Sequence, residues 1–232
     1  MRNLDIRHPV VIESMVKIET RLEYYTTLLA AHPLLEMAAT GRLARPVADE
    51  FAYLQYVDSI LWVPMLALMK ERVSRPRLLR AIAENLACEA GYRGTSHVEL
   101  ARQFVESLGL FAPPPGCPVP DVVDTVTHWT RFPEPQIAGW LLAAETLVPL
   151  LFTRMRPSFA SLPGADLRYL DEHVHVDSDD HAVWMKEAVA EILCSPSSLP
   201  AVLVGVDFGA REVFDVPDVL YTHALKLGER EA

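Results

Sequence analysis

Apolar residues recur at spacings of three and four along most of this chain, and no stretch shows the period of two that a half-buried strand requires. Met15, Ile18, Leu22, Tyr25 and Leu29 form one stripe of a helix over residues 11–31, which His32-Pro33 breaks. A short helix passes through Met37 and ends near Gly41. Pro46 opens the next, running to about residue 73 with Pro64 as a kink. Its interior, Y-L-Q-Y-V-D-S-I-L-W-V-P-M-L-A-L-M, is apolar nearly all round and predicts a helix buried in the middle of the molecule, with Asp58 conspicuous inside it. Residues 75–90 give a further helix. Gly91-Tyr92-Arg93-Gly94 then loosens the chain, and Thr95 or Ser96 starts the helix that carries His97 to Leu108, with Gly109 as its stop.

The segment F-A-P-P-P-G-C-P-V-P at residues 111–120 is too rich in proline for a regular element and short enough to be a loop. A short helix over 121–128 follows, then a mostly buried one over 136–154 in which Glu145 stands alone among leucines and alanines. A long helix over 166–193 comes next. Helical material over 199–227, interrupted by Gly205, Gly209 and Pro217, completes the chain. The pattern predicts an all-α bundle of about seven to nine helices, and 232 residues, half of them apolar, suffice for one domain over residues 1–232.

Charge narrows the partners. A formal net charge of −10 repels phosphate, which argues against nucleic acid and anionic membrane surfaces. No basic segment followed by an apolar one opens the chain, and uninterrupted apolar runs such as 60–69 and 199–206 stay below the roughly 20 residues of a membrane span. Cys88, Cys117 and Cys194 are an odd number at no metal-like spacing, as expected in a reducing cytoplasm.

The densest chemistry lies in Y-L-D-E-H-V-H-V-D-S-D-D-H-A-V-W at 169–184. His173, Asp177 and His181 stand at i, i+4 and i+8, within roughly 80° of one helix face. Imidazole and carboxylate without thiolate lean toward iron or manganese rather than structural zinc, whereas a solvated acidic face with aligned histidines is the plain alternative. Glu145 in its apolar helix requires a cation, and Glu89 and His97 flank the glycine-loosened turn. Together these are three carboxylates and three histidines, the ligand count of a two-metal site in a helical bundle.

The runs E-A-G-Y-R-G-T-S-H-V-E-L-A-R-Q-F-V-E-S-L-G-L, A-E-T-L-V-P-L-L-F and H-V-H-V-D-S-D-D-H resemble the metal-bearing segments of the heme-oxygenase-like diiron oxidases and oxygenases. The upstream H-P-L-L-E-M-A-A-T-G-R-L and the late A-R-E-V-F-D resemble that fold as well, extending the likeness over about residues 28–216. The resemblance implies Glu89, His97, Glu145, His173, Asp177 and His181 as ligands to Fe(2+), two per chain, with O2 as co-substrate. It also implies a small, amino-acid-derived substrate in specialised metabolism, undergoing N-oxygenation, desaturation or oxidative carbon–carbon cleavage, with an external reductant.

Two spacings depart from the family pattern. D-S-D-D-H sets His181 four residues after Asp177, and a helical bulge would favour Asp179 as ligand. The gap from Glu89 to His97 keeps Glu84 as an alternative, and His175 is a spare imidazole. Arg93 is a candidate clamp for a substrate carboxylate and Tyr56 a candidate pocket residue, set against a surface arginine and a core tyrosine. Rival readings are a thiaminase-II-like hydrolase using Cys88, a cofactorless oxidase, a heme oxygenase using His32, and a metal-free binding protein. Homodimers are common among helical enzymes, but no stripe here identifies one.

Overall fold

The computed structural model describes residues 7–92, 94–115, 117, 131–176 and 181–231. Among these are nine α-helices, one short 3-10 turn at Pro196–Ser198 and no strand. In order they are α1 (Pro9–Ala30), α2 (Pro33–Ala39), α3 (Arg45–Arg72), α4 (Pro76–Glu89), α5 (His97–Ser107), α6 (Glu134–Ala160), α7 (Arg168–Val176), α8 (Ala182–Ile192) and α9 (Leu199–Glu231). Proline opens α1, α2, α3, α4 and α6 within their first two positions, where its missing N–H costs no helical bond. His8 and His32 cap α1 and α2 by accepting from backbone N–H groups two residues on.

α6, not α3, is the central helix. Nearly every residue of α6 from Ile137 to Leu147 is buried, whereas α3 leaves Ile60 and Leu68 38% and 47% exposed along one edge. The expectation of an α3 enclosed on all sides therefore fails: an all-round apolar composition does not distinguish a central helix from one at the flank. Both helices contain a stretch long and apolar enough to cross a membrane, longer than the uninterrupted runs suggested. In α6, 67% of that stretch is buried within the bundle, and in α3 44% is.

α9 packs along α6 through glycine. A Cβ on Gly205 would lie 2.1 Å from the Gln136 carbonyl oxygen, and one on Gly139 would lie 2.1 Å from that of Val202. Gly205 and Gly209 thus serve the approach of two backbones and do not interrupt α9, which also continues through Pro217. Polar contacts fix its outer length: the Tyr25 hydroxyl donates to Asp207 at 3.0 Å, His32 Nε2 meets Asp218 at 3.1 Å, and His223 Nδ1 meets Glu50 at 2.5 Å. α6 likewise runs past residue 154 to Ala160, through Pro149 and Pro157. Of the single helix expected over 166–193, the parts α7 and α8 are described, and residues 177–180 between them lie outside the described residues, as does the short helix expected over 121–128.

Buried apolar side chains form two clusters, one around Ile18, Leu61, Ile82, Leu142 and Val189, the other around Phe51, Phe104, Leu151, Phe159 and Leu170. α6 contributes to both. Ala143 belongs to the first cluster and Leu147 to the second, and Glu145 lies between them in the sequence. The same holds for Glu89 and His97, between Ile82 and Leu100, and for His173 and His181, between Leu170 and Met185. Each chemically active side chain is placed where the chain passes from one apolar cluster to the other.

Candidate metal centre

Glu89 is the last residue of α4, and the chain turns immediately after it. Gly91 adopts φ +79°, and the Ser96 hydroxyl caps α5 by accepting from Glu99 N at 3.2 Å. A Cβ on Gly91 would lie 2.7 Å from Ser96 N, so the turn requires glycine for both its conformation and its space. It returns His97, the first residue of α5, to Glu89, with Nδ1 3.0 Å from Oε1. The eight-residue spacing therefore arises from a chain reversal and not from helix periodicity.

His173 comes from α7. Its Nδ1 lies 2.9 Å from the Tyr169 carbonyl, and because a carbonyl only accepts, Nδ1 carries the proton and Nε2 retains the lone pair. Tyr169 is tied to α3, its hydroxyl 2.9 Å from Ser59 Oγ and donating to the Gln55 carbonyl at 3.4 Å. Phe152 stacks on the His173 ring with centroids 4.6 Å apart and planes at 10°, and Arg156 of α6 pairs with Asp171 of α7 at 2.5 Å. These contacts bring Glu89, His97 and His173, all buried, to where one donor atom of each lies within 4.8 Å of the others.

A second pair lies on α6 and α8. Glu145 Oε2 is 3.4 Å from His181 Nδ1, while Asn85 Nδ2 donates to Glu145 Oε1. Pro149, one turn further on, has no N–H to offer the Glu145 carbonyl, which loosens α6 at this point. His181 sits in a wider, π-type turn at the start of α8, with Trp184 against its ring at 5.3 Å. The bulge that the D-S-D-D-H spacing suggested falls on Asp177, Asp179 and Asp180, which lie outside the described residues, as do Arg93 and the side chain of His175.

Glu89, Glu145 and His173 line one cavity of about 300 Å³. Leu54, Leu61, Trp62 and Phe152 are among its apolar walls, and Asp58, Glu212 and Asp215 add three more carboxylates. Burial, then the charge of Glu89, pushes the Asp58 carboxyl up to about 6. Asp58 is nevertheless exposed and lines the cavity, so water reaches it. Burial also raises Glu212 well above the usual carboxylate range; the Trp140 N–H bond opposes this, and Asp58 and Asp215 add to it. Asp215 is raised by burial and then by Asp218, with Arg211 opposing.

Other candidates lie elsewhere. Tyr56 sets its ring against Tyr53, centroids 6.1 Å apart, and does not line the cavity. Glu84 is half-buried and outside the three-residue cluster, and Cys88 does not line the cavity. His32 has both ring nitrogens engaged, with Leu34 N and Asp218, which speaks against an axial-ligand role. Sequence reasoning missed Asn85, Tyr169, Glu212 and Asp215. Asn85 had a legible signal, a polar residue on the Leu78–Ile82–Glu89 stripe of an amphipathic helix; the others are unremarkable until α3, α7 and α9 are brought together.

The fold and these side chains define a heme-oxygenase-like, all-α bundle with carboxylates and histidines buried between its helices. The profile of a family described as iron-containing redox enzymes matches residues 49–211, from α3 into α9, and the chain belongs to that family. No curated protein matches the chain. The donor set suits iron: imidazole and carboxylate oxygen without thiolate, in a cavity that no lysine or arginine lines among the described residues.

Proposed function

We propose that this oxidoreductase uses non-heme iron, two Fe(2+) per chain, to oxidise a small metabolite with O2. Glu89, His97, Glu145, His173, Asp177 and His181 would be the ligands. The observation that carries the reading is the convergence of Glu89, His97 and His173 from three helices into one buried group of donors, with Glu145, paired to His181, lining the same cavity as Glu89 and His173. Bound iron would supply the redox capacity to activate dioxygen.

The chain's own residues have definable tasks. The Tyr169 carbonyl holds His173 in the tautomer that presents Nε2, and Asn85 orients Glu145. Phe152, Leu54 and Leu61 limit water around the reacting region. A cavity of about 300 Å³ is at the lower end of the roughly 300–1,000 Å³ of small-ligand sites, which supports a small substrate. An external reductant, a cytoplasmic setting and an oxygenation, desaturation or oxidative cleavage outcome belong to the same proposal.

Oxygen uptake by ferrous-loaded protein tests it. Wild type should consume O2 faster than free ferrous iron at equal concentration, and Glu89→Ala and His173→Ala should lose that excess, by about 100-fold or more if they are ligands. Uptake no faster than free iron, or equal uptake by both variants, would overturn the proposal.

A further inference from the structure

One face of α1 serves neither the core nor the cavity. The buried side of this helix carries Val11, Ser14, Ile18, Leu22 and Leu29. On the opposite side Ile12, Val16, Tyr24 and Leu28 are 52%, 54%, 56% and 43% exposed. With Thr20, also exposed, they stand at i, i+4, i+8, i+12 and i+16, a continuous ridge along nearly the whole helix. The Thr20 hydroxyl donates to the Val16 carbonyl at 2.8 Å, so its polar atom is satisfied within the helix and does not interrupt the ridge. Single exposed apolar residues are ordinary, but four in one row make a contiguous apolar surface.

Charge on either side of the ridge indicates what covers it. Lys17 and Arg21 run along one flank and Glu19 and Glu23 along the other, all four exposed. Lys17 pairs with Glu13 at 2.7 Å and Arg21 with Asp207 of α9 at 3.3 Å, and both keep further N–H donors. Glu19 and Glu23 have no ion pair with a described residue. When two copies of such a helix pack side by side in the same direction, the basic flank of each meets the acidic flank of the other. In opposite directions, the two acidic flanks would meet and repel. A chain of net charge −10 with this acidic flank is repelled by an anionic lipid surface, whereas the helix is complementary to itself.

We infer that α1 is the contact between two copies of this chain, related by a twofold axis with their α1 helices in the same direction. Val16, Thr20 and Tyr24 lie at the centre, and the Lys17 and Arg21 flank of each copy faces the Glu19 and Glu23 flank of the other. One helix face is smaller than the roughly 800 Å² per partner of a standard interface, so the dimer forms at micromolar concentration. No residue of α1 lines the cavity, and the pairing stands apart from the proposed function: iron binding or its failure leaves it unchanged.

Sedimentation velocity of the full chain from about 1 to 200 µM reads the pairing. Wild type should pass from monomer to dimer across this range. Val16→Asp, at an exposed position, should weaken the dimer about tenfold or more. Glu19→Lys combined with Glu23→Lys makes both flanks basic and should weaken it by a similar factor, more so at low salt. Cysteine cross-linking under mild oxidation, read above the wild-type background, gives the direction. In the inferred arrangement Val16→Cys and Tyr24→Cys each cross-link to their own copies, whereas opposed helices would cross-link only when the two variants are mixed. A wild-type monomer at about 200 µM would overturn the inference. So would wild-type association in both the Val16 and the double-lysine variants with native far-ultraviolet circular dichroism, or cross-linking confined to the mixture.

Discussion

At the scale of single residues the centre depends on groups that hold ligands rather than act as ligands. Gly91 is the clearest. Its φ of +79° and the 2.7 Å approach of a Cβ to Ser96 N make Gly91→Ala costly, by about 1–3 kcal/mol in urea unfolding, and that variant should also lose iron affinity because Glu89 and His97 would no longer meet. An unchanged unfolding midpoint would show the turn to be tolerant. Asn85→Ala removes the amide that donates to Glu145 Oε1, one donor to a buried carboxylate, which should cost about 1–3 kcal/mol of metal-free stability. The sequence exposed the chemical residue types, Glu145 above all, because an acid among leucines contradicts its surroundings. It did not expose Tyr169, whose role depends on Ser59 and Gln55 of another helix, 110 and 114 residues away.

At the scale of elements, periodicity located most helices, since each needs an apolar stripe and the prolines mark their starts. It failed where glycine and proline have meanings that only a neighbour reveals. Gly205 and Gly209 read as breaks in isolation, yet they are the positions where α9 touches the backbone of α6. Gly205→Ala should therefore destabilise the fold, by about 1–3 kcal/mol or more, although alanine is the better helix former; thermal or urea unfolding reads the sign. A stabilised Gly205→Ala protein would mean that the two helices separate easily. Likewise, α4 lacks a local side-chain cap. Glu134 of α6 accepts from Ser74 N and Arg75 N at 2.8 and 2.6 Å, and Glu191 of α8 accepts from Arg77 N at 3.0 Å. No local reading of α4 identifies caps supplied by distant helices.

At the scale of the whole molecule, two apolar clusters leave between them a zone of acids and imidazoles, and this makes metal-free stability depend on pH. The Asp58 carboxyl titrates at about 6 in the fold, against an ordinary value near 4 for an unfolded aspartate. Between those values the folded chain binds the additional proton, so this group's contribution is complete below about pH 4 and is lost as pH rises through about 6. Water in the cavity screens part of the effect. Asp58→Asn should flatten that dependence and raise the metal-free melting temperature at pH 7.5, by roughly 2–4 °C if about 1 kcal/mol survives screening. A lower melting temperature would show that the aspartate is paired favourably. Glu145 in its apolar helix indicated a need for a cation, but the assembly of Asp58, Glu89 and Glu212 around one cavity required the bundle.

The central claim is that the acids and imidazoles between the two clusters hold iron. An anaerobic ferrous titration of the metal-free chain tests it most directly, with Glu89→Ala and Glu145→Ala beside wild type. Two tightly bound irons per chain in wild type, and weakened or lost binding in each variant, is the predicted result. No tight iron in wild type, or the same stoichiometry and affinity in all three proteins, would contradict it.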